Sequence, residues 1–419
     1  MSSNSAQSLT VKSFDFTSKE KKFSLILLIV GIVLFGIGLV MNLDNPTRIW
    51  STLVYNNHFF LMVALCAMFF ISANNIGYSG WFIAVRRIQE AIALYVPIGA
   101  VLMLVILGLG FSHVYHWGDP DLVNPDSPKY DAILASKEWY LNKPFFWARI
   151  ICYAVVWPAL ILIMRRMSLA SDTNPDLGAY QRSKYLTALF ILFFAVTSST
   201  SSWDVLMSVQ PHWYSTLFGW YNFISAFVTV MSVTMLFFIY LRNKGYLPHA
   251  NDSHMHDIGT FMFGFSIAWA YLFYSQFMLI WYSNMPEETI YFKERIDHYP
   301  ATMYFLFMIN FVAPFFILLT RGAKRNNAVV IALACLIIIG HWLDYYQEVV
   351  PGALANMAHG AHGEHAKPHY ADGGIGIIDI GLFLTYAGIF TYVVFNALSK
   401  APLLPVGHPF AKETLYHNI

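Results

Sequence analysis

Residues 198–221 read SSTSSWDVLMSVQPHWYSTLFGWY and lie where two long apolar runs meet. Five consecutive hydroxyl side chains, Ser198 to Ser202, lead to Trp203 and Asp204, and then Pro211, His212 and Trp213 turn the chain back. A polar stretch in that position marks a membrane boundary. An acid at the end of an apolar segment is costly, so Asp204 either marks where a helix leaves the lipid or does something there.

Outward from this stretch the same pattern repeats. Hydrophobic residues make up 57% of the 419, charged residues only 12%, and the mean hydropathy is +0.51. The apolar residues fall into runs of about twenty, the length that crosses a hydrocarbon core of ~30 Å as helix. The sequence predicts an all-α polytopic membrane protein with ten transmembrane helices, at about 23–41, 55–78, 88–111, 144–164, 185–204, 214–241, 258–283, 301–320, 328–346 and 375–398. A polar tail, 1–22, precedes this membrane domain of 23–399, and 400–419 follows it. No signal-peptide pattern with a small-residue cleavage site opens the chain.

Charge sets the orientation. With the amino terminus in the cytoplasm, the tails and even-numbered connections collect 17 of the 25 Lys and Arg residues, despite the longer connections on the other side. That bias follows the positive-inside rule and places both termini in the cytoplasm. Trp and Tyr cluster at span ends, as in Trp139–Tyr140, Trp213–Tyr214 and Trp281–Tyr282, forming an interfacial belt.

Several functions are disfavoured. A net charge of +1 argues against a nucleic-acid partner. Cys66, Cys152 and Cys335 all lie in apolar runs, read as buried thiols, and no haem-attachment or iron–sulfur ligand set is present. Bis-histidine haem needs ligands in mid-span, and the predicted spans place no histidine there. The His359–His369 segment, in a His/Gly-rich periplasmic loop at 351–374, has imidazoles but no rigid geometry and is read as solvated; no metal site is assigned. No nucleotide-binding or hydrolase motif occurs in a usable context.

The polar residues at membrane depth sort by side. Asp204, His212, His58, His113, His341, Asp344, Gln276, Arg149 and Asp379 map to the outer half; Glu90, His254, His256 and Asp257 map to the inner one. His341, Asp344 and Tyr345 share a helix face by their spacing. An imidazole beside an embedded carboxylate can hold and pass protons. The predicted functional site is therefore one outer cluster of Asp204, His212, His341 and Asp344, with Arg149 and Gln276 as neighbours. Asp257 is an inner-side candidate for the same proton path. The interfacial hydrogen-bond reading of these residues carries no function.

Three strings carry a resemblance: SSWDVLMSVQPHWYSTLFGWY (202–221 from its second Ser), HDIGTFMFGFSIAWAYLFYSQFMLIWYSNMPEE (256–288) and HWLDYYQEVVPG (341–352). With them the chain resembles, over essentially all ten spans, the second and smaller of the two large polytopic subunits of bacterial alternative complex III. That complex is a quinol:cytochrome c oxidoreductase, and the subunit is of the polysulfide-reductase-like (NrfD-like) family. The resemblance implies two four-helix bundles, spans two to five and six to nine, flanked by spans one and ten. It implies a bacterial inner-membrane complex with a homologous quinol-binding subunit, iron–sulfur and multihaem cytochrome c subunits on the periplasmic side, lipids and, in some assemblies, a terminal oxidase. In this second subunit it implies a proton route more than a working quinol site; Asp204, His212 and Trp213 are the residues considered for a quinone pocket. Haem c and iron–sulfur clusters would belong to the partners, this chain binding no cofactor. The alternatives are an ion-coupled transporter or channel, and a scaffold without chemistry.

Overall fold

The computed structural model describes residues 13–173, 177–361 and 374–418. Ten helices in it are long and apolar enough to cross a membrane, and no strand occurs among the described residues. Span one is Ser18–Met41, span two Pro46–Ile76, span three Ile83–Val114, span four Lys143–Thr173 and span five Leu177–Val205. Span six is Leu217–Asn243, span seven Asp252–Ser283, span eight Pro300–Leu318, span nine Asn327–Ala361 and span ten Ile377–Leu398. A surface helix, Pro286–His298, joins spans seven and eight.

Local chemistry places the helix ends. Asn45 caps span two by accepting from the Arg48 amide at 3.0 Å, and Pro46 occupies the first turn, where its missing N–H costs nothing. Asn251 caps span seven through a capping box with His254. Asn284 ends it with a left-handed φ of 49°, a conformation Asn tolerates better than most residues. Pro97 interrupts span three, which consists of Ile83–Ala93 and Val96–Val114.

Spans two to five pack as one ring of four, and spans six to nine as another. Spans two and five meet six, and two meets nine, across an aromatic seam in which Phe69 packs edge-on against Phe223 at 4.9 Å. Spans one and ten lie against each other over their whole lengths. Their backbones touch: a Cβ on Gly381 would stand 2.3 Å from the Phe35 nitrogen, and one on Gly31 2.3 Å from the Thr385 nitrogen. Small residues permit such close crossing where lipid offers no hydrophobic drive. The segments just before span one and just after span ten lie on one face, joined by the Ser13–Pro402 bridge, and it is called the face of the termini. The opposite face is called outer below.

The structure moves several predicted boundaries. Span two begins nine residues before the predicted Tyr55, because Arg48 enters the helix fully buried with its charge paired. Arg86 and Arg87 lie inside span three for the same reason, both bonding Glu90. Residues 351–361, assigned to a loop, continue span nine past Pro351; the rest of that His-rich loop, and the His359 side chain, lie outside the description. Cys66 is buried, but Cys152 and Cys335 are exposed on the outside of the bundles, correcting the expectation for those two thiols.

Candidate functional site

The residues predicted to form one cluster are divided by the fold. Asp204 ends span five and belongs to the first bundle. Arg149 of span four clasps it through Nε to Oδ2 and Nη2 to Oδ1, both at 2.8 Å. Tyr153 donates to the same carboxylate at 3.1 Å. The Arg149 guanidinium lies against the rings of Tyr140 and Phe145, at 4.0 and 4.2 Å, and also donates to the Tyr140 carbonyl. All three guanidinium nitrogens donate and both carboxylate oxygens are occupied. Such a site is built to stay as it is.

His212 lies on the outer surface, its Nε2 2.6 Å from Asp131. For Asp131, burial alone would raise the carboxyl pKa, but the His212 bond and the amides of Leu134 and Ile133 outweigh it and hold the group below the usual carboxylate range. Asp257 is at the face of the termini, bonded by His417 at 2.6 Å. Trp213 alone of the three quinone-pocket residues lines a cavity of about 310 Å³, which is walled by Trp139, Tyr140, Trp203 and Tyr214. Asp204 and His212 are not among its walls, so the predicted trio is not assembled.

The other acid stands in the second bundle. Asp344 and His341, one turn apart on span nine, are buried at 2% and 0% exposure. Tyr221 of span six donates to Asp344 Oδ1. Trp269 of span seven donates its indole N–H to Oδ2 at 2.9 Å. Ser225 lies 2.9 Å from His341 Nδ1 and 3.3 Å from Asp344 Oδ2. With the Nδ1–H tautomer, the Ser225 hydroxyl accepts from His341 and donates to Asp344, a continuous His–Ser–Asp chain. His341 Nε2 and both amide atoms of Asn310 are buried without a hydrogen-bond partner among the described residues. Asn310 sits in a π-helical turn, Met308–Val312, of span eight, and packs on Gly340 so closely that a Cβ there would meet its Oδ1 at 2.0 Å. π-turns of this kind are frequent at functional sites.

His58 and His341 are also deeper than their assigned depth. His58 is the thirteenth of the 31 residues of span two, and His341 the fifteenth of the 35 residues of span nine. The helices extend beyond the apolar runs, so their midpoints shift outward. His58 packs on Tyr345, with ring centroids 6.0 Å apart, and His341 on the edge of Trp269 at 5.6 Å.

Sequence reasoning missed Glu348, Tyr221, Trp269 and Arg295. Glu348 stands four residues beyond Asp344 and seven beyond His341, so the spacing that joined the first two already included it. Its Oε1 accepts from Asn222 at 3.2 Å. Arg295 of the surface helix is 1% exposed and donates to the carbonyls of Gln347, Glu348 and Tyr291. Gln276 does reach this region, lining a small cavity beside Asp344. Asp379, placed in the outer half, forms a third buried pair with Arg48, supported by Tyr55 at 2.8 Å. Comparison with family models finds no match to this sequence, and comparison with curated proteins finds no significant similarity.

Proposed function

We propose that this chain is the proton-conducting membrane subunit of a respiratory quinol:cytochrome c oxidoreductase in a bacterial inner membrane, with both termini cytoplasmic. Iron–sulfur and multihaem cytochrome c partners and a homologous quinol-binding subunit would carry the electrons. The observation that supports a proton role is the His341–Ser225–Asp344 chain: an imidazole, a hydroxyl and a carboxylate in hydrogen-bond sequence at membrane depth, where ionisable groups are expensive to keep. Asp344 accepts from three uncharged donors and touches no cation, whereas Asp204 and Asp379 are each clasped by an arginine. A carboxylate held only by neutral donors can change its protonation state without stranding a buried cation.

A transporter reading asks for paired broken helices in corresponding positions of two repeats. Here the irregular turns among the described residues fall in span three, the second helix of its bundle, and span eight, the third helix of its bundle, while Pro158 lies inside an unbroken span four. That mismatch favours the respiratory reading. Affinity purification of the full chain from its native membrane should bring c-type haem subunits with it, and Asp344→Asn should lower proton release per electron at least tenfold in the reconstituted complex. Isolation without haem proteins would remove the respiratory assignment; unchanged proton release in Asp344→Asn would remove the proton role.

A further inference from the structure

Glu348 is buried at 6% exposure one turn outward of Asp344, and the proton path above leaves it unused. Its Oε2 has no hydrogen-bond partner among the described residues, and neither has either side-chain polar atom of the neighbouring Gln347, itself 3% exposed. Such orphaned atoms are costly when left dry. Asp344, Gln347 and Glu348 border a cavity of about 20 Å³ together with Tyr221, Gln276 and Arg295. A single water needs roughly 10–15 Å³ and two to four polar partners. The walls provide both.

Charge points the same way. Arg295 is a buried cation lining this cavity, beside two buried carboxyl groups, Asp344 and Glu348. Two carboxyl groups on one cavity wall give a mobile proton two places to rest. Outward of Glu348, Arg295 donates to Gln210 Oε1 at 3.1 Å and Gln210 donates to Glu294 Oε2 at 2.9 Å, on the surface helix. Gly352 makes room for this, since a Cβ there would stand 2.4 Å from the Gln210 side chain.

We infer that the cavity holds one water molecule joining Asp344 to Glu348, and that Glu348 is the next proton acceptor toward the outer face. The inference rests on the proton-path reading of Asp344. In the step, the Asp344 O–H bond breaks as the water oxygen takes its proton, and a water O–H bond breaks as a proton passes to Glu348 Oε2. The water is regenerated and no electron moves. Arg295 is a positioning residue: four acceptors fix its guanidinium, and it fixes the outer turns of span nine in return.

The test uses the full chain in its native complex. Infrared difference spectra of the wild type should contain a protonated-carboxyl band that is lost in Glu348→Gln. They should also contain a water O–H band that shifts in oxygen-18 water and is lost in Gln347→Leu. Proton release per electron should fall at least tenfold in Glu348→Gln and recover in part in Glu348→Asp, while the thermal midpoint of this near-isosteric variant stays close to wild type. If Asp344→Asn abolishes release and Glu348→Gln keeps it, the inference fails and the proton reading of Asp344 stands. If both variants keep wild-type release, both fail together. A wild-type spectrum without the oxygen-18-sensitive band overturns the water independently of turnover.

Discussion

Two buried aspartates, one at the end of span five and one in the middle of span nine, carry opposite chemistry because of what stands beside them. Asp204 is matched to a guanidinium through two parallel bonds, and that cation is in turn held by two rings and a carbonyl. Removing the carboxylate charge leaves a buried cation unbalanced, which costs about 3–5 kcal/mol. Asp204→Asn is therefore expected to lower stability by about 3 kcal/mol, seen as a reduced thermal midpoint in detergent. The complex that still assembles should keep its proton release. A variant with wild-type stability but impaired proton release would return Asp204 to the path. Asp344 is expected to behave in the reverse manner, since Asn retains the shape its three neutral donors surround.

Among the elements, spans one and ten act as a unit packed through span ten on spans two and three, with ring contacts to spans six and nine. Their contact is backbone against backbone, set by Gly31, Gly38, Gly381 and Gly388, each of which would drive a Cβ to 2.6 Å or less of the facing helix. Gly36, on the same helix as Gly31, has nothing within 4 Å of its Cβ position. Gly381→Leu should destabilise the protein by about 1–3 kcal/mol through overpacking, while Gly36→Leu should be neutral. Equal midpoints for the two variants would show that the crossing tolerates separation. The Arg48–Asp379 pair ties this helix pair to span two at the outer end, and the Gly376 amide donates to the same carboxylate at 2.8 Å.

On the scale of the whole molecule, residues 401–418 close the face of the termini. Thr414 donates to the Trp81 carbonyl at 3.0 Å, His417 bonds Asp257, and His408 packs edge-on against Phe82 and Tyr180. Burial pushes the His408 imidazole down to about 3, and the nearby Arg86 and Arg87 add to this against the opposing pull of Glu90. An unfolded histidine titrates near 6.5. Between those values the folded state binds fewer protons than the unfolded one, so the contribution of His408 is full above about pH 6.5 and is lost as pH falls from there toward 3. Hydrogen exchange of this terminal segment should accelerate as pH is lowered through 6, after correction for the intrinsic exchange rate, and His408→Phe should flatten that dependence. An unchanged slope in His408→Phe would assign it to other groups.

Span number, helical class and the shared face of the termini were legible in the sequence because each is a local and additive property. A run of about twenty apolar residues crosses lipid wherever its neighbours are, and an even number of crossings returns the chain to its starting side. The bundle arrangement came with the family resemblance rather than from the residues. Helix ends were misjudged where buried arginines extend a span, because Arg48, Arg86 and Arg87 read as solvent-facing until Asp379 and Glu90 supply their counter-charges. The candidate site was half legible. The spacing of His341, Asp344 and Tyr345 put one face of span nine in view, but Ser225, Tyr221 and Trp269 come from spans six and seven, and no periodicity says which face of those helices meets span nine. Asp204 and Asp344 looked equivalent as acids near span ends. Only packing gave one an arginine and the other a hydroxyl, an indole and a phenol, and a carboxylate's capacity to exchange a proton depends on those neighbours.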